Sequence, residues 1–329
     1  MKTNATTIKL GLVGLLAALG VSCSDDDNDN NIFTPAPQNN IVQTAQQNPD
    51  FSILAAAVVR ADLATTLSGD GPFTVFAPSN AAFNTFLSAN GFANIEAVPV
   101  PVLREVLLNH VIAGEVMSGD LQTGYVKTLA KGSASSVNTL SMFVSVGNTV
   151  VLNGGTSNGG AAVTTADVEA SNGVIHVVNG VIGLPSVVNH AIANPDFSSL
   201  VSALTRNDQP DFAGILSGDG PFTVFAPTNA AFGSLLTELG LAGLANVPQA
   251  TLEATLKYHV VTGANVLSNT LTNNQSVSTY LGQSFTVQLP GTGPQILDAA
   301  GRTSKIVAVD VQAENGVIHA LDKVLLPSL

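Results

Sequence analysis

The sequence predicts an α+β protein made of one domain written twice, and three observations lead there. Ser68–Phe83 (SGDGPFTVFAPSNAAF) recurs at Ser217–Phe232 (SGDGPFTVFAPTNAAF) with fifteen of sixteen positions identical. Within each copy, Ala- and Leu-rich helical stretches come first and period-two stretches follow, without the regular alternation of a βαβ protein. The composition agrees: 30 Gly and 16 Pro supply turns, while 45 % hydrophobic against 10 % charged residues suits filled cores rather than disorder. A length of 329 residues is that of about two domains.

The chain opens on what reads as an address and a tether. Lys2 and Lys9 precede an apolar run, Leu10–Val21, too short to cross a hydrocarbon core that needs about 20 residues. A basic start, a short apolar stretch and a small residue before the processing point make a secretory signal over residues 1–22. Leu19–Cys23 (LGVSC) resembles a bacterial lipobox, although Gly20 stands where the strict pattern has Leu. Cys23 is then the lipid-attachment residue of the mature chain. As the sole cysteine it excludes intrachain disulfides and cysteine-clustered metal sites.

Residues 23–40, with four Asp, several Asn and two Pro, read as an acidic flexible tether spanning roughly 20–25 Å. Asp25, Asp27 and Asp29 imitate the opening of a calcium loop, but Asn30 and Ala36 occupy its Gly and Glu positions. The formal net charge is −12, and loss of Lys2 and Lys9 with the leader makes it −14. Such a field disfavours nucleic acid, and the absence of Trp with only three Tyr weakens aromatic platforms for bases or sugars.

From Ile41 onward the anchors of one copy return in order in the next. Asn48-Pro-Asp-Phe-Ser matches Asn194-Pro-Asp-Phe-Ser, His110-Val matches His259-Val, and Asn172-Gly-Val-Ile-His matches Asn315-Gly-Val-Ile-His. A boundary near Ser186 gives two domains, 41–186 and 187–329. In the first, Phe51–Leu67 reads as one helix, ended by the Gly69-Asp-Gly-Pro72 turn. Phe73–Phe76 is a short strand stopped by Pro78, and Ser79, like Thr228, caps the next helix. Leu103, Val106, Leu107 and His110 share a face of a further helix. Phe143–Val146 and Thr149–Leu152 form a hairpin closed by Gly147-Asn148, where the second copy has the longer loop Pro290–Pro294. Ile306–Val311 and Gly316–Leu326 supply closing strands.

These blocks resemble fasciclin-type (FAS1) domains. Phe-Thr-Val-Phe-Ala-Pro-(Ser/Thr)-Asn-Ala-Ala-Phe is similar to the family's first signature segment, and Asn-Gly-Val-Ile-His to its second. The family's intervening Tyr-His pair is present as Tyr258-His259 and altered to Asn109-His110 in the first copy. The resemblance implies a β-sandwich-like wedge with packed helices, duplicated in tandem. It implies adhesion outside the cell, with matrix, polysaccharide or a cell-surface protein as partner and the cell envelope as location. The alternative class is a glycan- or lipid-binding envelope lipoprotein, which requires an apolar pocket.

Asn109, His110, Tyr258 and His259 are the candidate adhesion surface. The plainer reading of the two histidines is a neutral core imidazole bonded to a backbone carbonyl. His176 and His319 read as packing residues in a strand. Asp50, Asp70, Asp196 and Asp219 read as turn formers, and Asp167 and Asp310 as strand-end residues. No catalytic motif for nucleophile, zinc or phosphate is present, so no enzyme activity, cofactor or metal is expected, although a triad of Ser, His176 and Asp167 is decided by geometry rather than order.

Overall fold

The computed structural model describes residues 39–291 and 293–328. The leader, Cys23 and the tether up to residue 38 lie outside the described residues. The described residues form one compact unit containing both copies.

In the first copy, helices α1 (Ile41–Gln47), α2 (Ser52–Arg60) and α3 (Ala64–Leu67) precede strand β1 (Phe73–Pro78). Then come α4 (Asn80–Ala89), α5 (Val100–Leu108) and β2 (Val111–Ala113). Strands β3 (Gly124–Gly132), β4 (Ser135–Val146), β5 (Val150–Leu152), β6 (Ala161–Ala170) and β7 (Gly173–Val178) complete it. The second copy repeats the order: α6 (Val187–Ala193), α7 (Ser198–Leu204), α8 (Phe212–Leu216), β8 (Phe222–Pro227), α9 (Asn229–Glu238), α10 (Gln249–Tyr258) and β9 (Val260–Thr262). It ends with β10 (Ser276–Ser278), β11 (Ser284–Gln288), β12 (Gln295–Leu297), β13 (Thr303–Ala313) and β14 (Gly316–Leu321).

Each copy carries one seven-stranded sheet, ordered β2-β1-β7-β6-β5-β4-β3 and β10-β11-β12-β13-β14-β8-β9, which is the same topology read from opposite ends. The signature strands β1 and β7 lie side by side and parallel, Phe73 opposite Gly173 through Pro78 opposite Val178. Their alternation divides two cores. Val75, Ala77 and Ile175 join the helices, with Phe83, Leu103 and Leu107. Phe76 and Val178 turn to the other face and meet Met142, Val144 and Leu152 from β4 and β5, so the sheet curls onto itself as a wedge.

Several expectations are corrected by packing. The helix expected over Phe51–Leu67 breaks at Asp62 (φ +56°), because the chain must turn there to seat both α2 and α3 on one core. The hairpin loop between β4 and β5 has three residues, since Val146 pairs with Val150. The last strand stops at Leu321, and Val324 and Leu325 continue as buried irregular chain. Asp167 and Asp310 sit within β6 and β13, at bulges where the register to the next strand shifts, with φ of +60° and +58°. The expected caps are present: Ser79 and Thr228 hydroxyls accept from the Ala82 and Ala231 amides.

Candidate functional site at the seam between the copies

The signature residues are buried clamps. In the Asn-Gly-Val-Ile-His segment, Asn172 donates to the Leu67 and Gly69 carbonyls (2.9 and 2.8 Å) and accepts from the Ile41 amide at 2.9 Å. Asn315 does the same with Leu216, Gly218 and Val187. One amide side chain thereby ties the first helix, the Ser-Gly-Asp-Gly-Pro turn and the last strand together. Gly71 in that turn has φ +64°, and a Cβ there would lie 2.3 Å from the Asn172 carbonyl oxygen.

The four residues expected to form an adhesion surface lie inside. Asn109, His110, Tyr258 and His259 are 0, 2, 0 and 3 % exposed, which leaves no side-chain face for a partner. His110 donates from Nδ1 to the Val106 carbonyl (2.7 Å) and accepts at Nε2 from the Ile182 amide (2.8 Å). It stands two residues beyond the end of α5 rather than on the helix face. His259 repeats both bonds, with Thr255 and Leu325. Burial lowers each imidazole pKa to about 4. The Tyr258 hydroxyl donates to Ser284 O (2.9 Å) and accepts from the Ala299 amide (3.1 Å), while Asn109 donates to Gly183 O (2.8 Å).

Ser118, Asp167 and His176 do come together, in an order that makes no triad. Asp167 accepts from both the backbone amide and the hydroxyl of Ser118, so the serine faces the carboxylate rather than an imidazole base. His176 Nδ1 accepts from the Asp167 amide (3.2 Å) and its Nε2 donates to Val116 O (2.9 Å), so both ring nitrogens are taken up by backbone. Ser268, Asp310 and His319 repeat the cluster. These groups pin a loop to the bulged strand. The Ser118 hydrogen bonds hold the Asp167 carboxyl below its ordinary range.

A second candidate surface lies where the copies meet. The β3–β4 hairpin is long (nine and twelve residues), whereas its counterpart β10–β11 has three and five, and its tip reaches the second copy. There the Ala134 amide donates to Glu314 O at 2.9 Å, and Glu314 in turn donates to Pro185 O at 2.8 Å. Gly132 passes so close that a Cβ would lie 2.5 Å from the Glu314 Cα. Lys127 donates to Asp310 O (2.8 Å), and Ser141 accepts from the Gln312 amide (3.1 Å). Gln312 is fully buried here, and its counterpart in the first copy is the exposed Glu169.

His190, the one histidine without a counterpart, is fully buried under the Tyr125 ring (centroids 5.5 Å apart), and neither ring nitrogen makes a well-formed hydrogen bond, the Gln312 backbone offering only a weak contact. Burial lowers its pKa to about 4 and raises that of Tyr125 to about 12. Beside this seam opens a cleft of about 400 Å³, lined by Tyr125 and Phe143 of the first copy and by Asn194, Asp196, Phe197 and Val307 of the second. Tyr125, Lys127, Gly132 and His190 were not singled out by the sequence pattern. The available signal was the set of positions where the copies differ, Glu169 against Gln312 among them.

Two clamped wedges of identical topology, sharing a packed seam, define a tandem pair of one extended β-wedge domain. The fasciclin domain model matches residues 49–185 and 195–327, and the chain belongs to that family. Its relatives include protein sll1483 of Synechocystis, 40 % identical over 43 % of this chain and 72 % of that protein. Human periostin is 30 % identical over 79 % of this chain, and human stabilin-1 29 % over 83 %. The chain spans only 29 % and 10 % of those two proteins' lengths. A solved FAS1 domain pair from the insect cell adhesion molecule fasciclin I matches with a TM-score of 0.49 at 19 % identity, over 82 % of this chain and 92 % of that one.

Proposed function

We propose that the protein is a lipid-anchored cell-surface adhesin that holds matrix or neighbouring-cell components through its two fasciclin domains. The observation that carries this reading is the duplicated family match on one chain, together with the resemblance of Leu19–Cys23 to a lipobox. Adhesion is the role the family resemblance implies, and two copies on one chain raise the effective concentration for a second weak contact. The acidic stretch after Cys23 is repelled by an anionic membrane surface and holds the domains outward.

Among the described residues no helix is long and apolar enough to cross a membrane, so in this reading the lipid on Cys23 provides attachment. The test is a cell-attachment assay on matrix-coated surfaces, with surface labelling of intact cells. Cys23→Ser is expected to release the protein and lower attachment to the level of cells lacking it. Variant protein still held at the surface removes the anchor from the proposal, and unchanged attachment with released protein removes the need for it. Unchanged attachment in cells lacking the protein altogether removes adhesion.

The lipid-binding alternative gains little from the cavities under the first helices. They measure about 50 Å³ in the second copy and about 30 Å³ in the first, too small for an acyl chain.

A further inference from the structure

The two copies are so alike that their differences at aligned positions point to separate duties. Thr164, Thr165 and Ala166 on β6 correspond to Val307, Ala308 and Val309 on β13, immediately before the matched Asp167 and Asp310. All three residues of the second copy are exposed, Val307 at 56 % and Val309 at 42 %. Exposing two valines on a strand is unfavourable unless something covers them. They also lie at the cleft: Val307 and Ala308 line it together with Tyr125 and Phe143.

The backbone at this place is open as well. Strand β12 pairs with β13 only from Thr303 to Lys305, and the Ile306 amide then donates to Pro294 O. On the other side, pairing with β14 runs through Ile306, Ala308 and Val311 and skips Val307 and Val309 because of the bulge. Further along the open flank, Lys127 takes the Asp310 carbonyl and Ser141 the Gln312 amide, so the first copy closes the flank beyond residue 309. A gap of about three residues is left, with unpaired strand edge, apolar side chains and a cavity of about 400 Å³ beside it. The one charged group lining the cleft is Asp196, exposed and without a cationic partner among the described residues.

We infer that this cleft binds an extended peptide segment of a partner protein, apolar and basic in alternation, added as a short strand along Val307–Val309. Main-chain hydrogen bonds to the open flank hold the segment, its apolar side chains cover Val307 and reach toward Tyr125 and Phe143, and a Lys or Arg meets Asp196. The overall charge of −12 favours the approach of a basic segment. The inference rests on the binding role proposed above but not on the lipid anchor.

The experiment is fluorescence-anisotropy titration of the full chain with labelled acetyl-Val-Lys-Val-Lys-Val-amide. Controls are the same peptide with Glu for Lys and with a central Pro that cannot add to a strand. Two variants accompany it. In the first, Val307→Thr, Ala308→Thr and Val309→Ala are combined, which installs the residues the first copy already carries in the same backbone. The second is Asp196→Asn. The basic peptide is expected to bind saturably and to slow hydrogen exchange at Val307–Val309. The triple variant is expected to weaken it about ten-fold, and Asp196→Asn to weaken it about three-fold and flatten its salt dependence.

Equal binding of the Glu or Pro peptide, binding unchanged in the triple variant, or no saturable binding overturns the inference. Self-association of the chain that the triple variant abolishes overturns it too, since a second copy would then be the occupant. Loss of the cleft reading with cell attachment retained leaves the adhesin standing. Peptide binding without cell attachment does the reverse.

Discussion

At the residue scale, the buried imidazoles tie stability to pH. His110 accepts a backbone amide at Nε2, so a second proton would set donor against donor in a buried place. His259 is built alike, and His190 makes no well-formed hydrogen bond with either nitrogen. All three titrate near pH 4 when folded, against 6.5 when exposed. The unfolded chain therefore binds these protons first as pH falls. Their contribution is whole above about pH 6.5 and is lost progressively down to about pH 4, at up to about 1.4 kcal/mol per pH unit for each histidine. The lowered pKa of Asp167 extends the loss further into acid.

Urea melts at pH 7.5, 5.5 and 4.5 check this: stability should fall steadily, and a flat profile would mean the histidines keep their exposed pKa in the fold. The three histidines should also separate by mutation at neutral pH. His110→Leu strands the Ile182 amide and costs about 1–3 kcal/mol. His190→Leu removes a buried ring that makes no well-formed hydrogen bond and is expected to be neutral or stabilising.

At the element scale, the bulges of β6 and β13 are held by Asp167 and Asp310. A carboxylate residue tolerates the left-handed backbone at these points better than most, and at Asp167 it also collects two hydrogen bonds from Ser118. Asp167→Ala should cost about 1–3 kcal/mol, from the lost bonds and the strained φ together. Asp167→Gly relieves the strain but not the bonds, so thermal melts should place it between Ala and wild type. Equal losses in the two variants would show that φ contributes nothing. Much at this scale was legible beforehand. The caps at Ser79 and Thr228, the β1 strand and the helices follow from local chemistry. The bulges did not follow, since Thr164–Asp167 carries no Gly or Pro, and only pairing with a strand ten residues further on creates the mismatch.

At the scale of the whole molecule, the repeats are joined by a surface as well as by a linker. The hairpin tip approaches Glu314 so closely that Gly132→Val must push backbone against backbone. The expected result is separate unfolding of the two copies in calorimetry and a larger radius of gyration in solution scattering, with each sheet intact by circular dichroism. A single transition at the wild-type temperature would show that the seam does not couple the domains. A seam that fixes both cleft walls also explains why the second copy carries Gln312 where the first has Glu169, because the position is buried only in the second.

The sequence by itself determined the duplication, the α+β class, the family and the identity of the residues each domain cannot do without. Repeated turns, caps and amphipathic periods act over a few residues, and each copy corroborates the other. For Asn109, His110, Tyr258 and His259 it left two readings open, an adhesion surface or, for the two imidazoles, neutral core groups bonded to backbone. Only the tertiary structure decided that they are interior clamps, because burial depends on what a distant segment lays over a side chain: Ile182 and Leu325 for the two imidazoles. The same physics put the open surface elsewhere. The cleft is made by two copies meeting, and Tyr125 and Val307, 182 positions apart in the chain, line it together only once both sheets have formed.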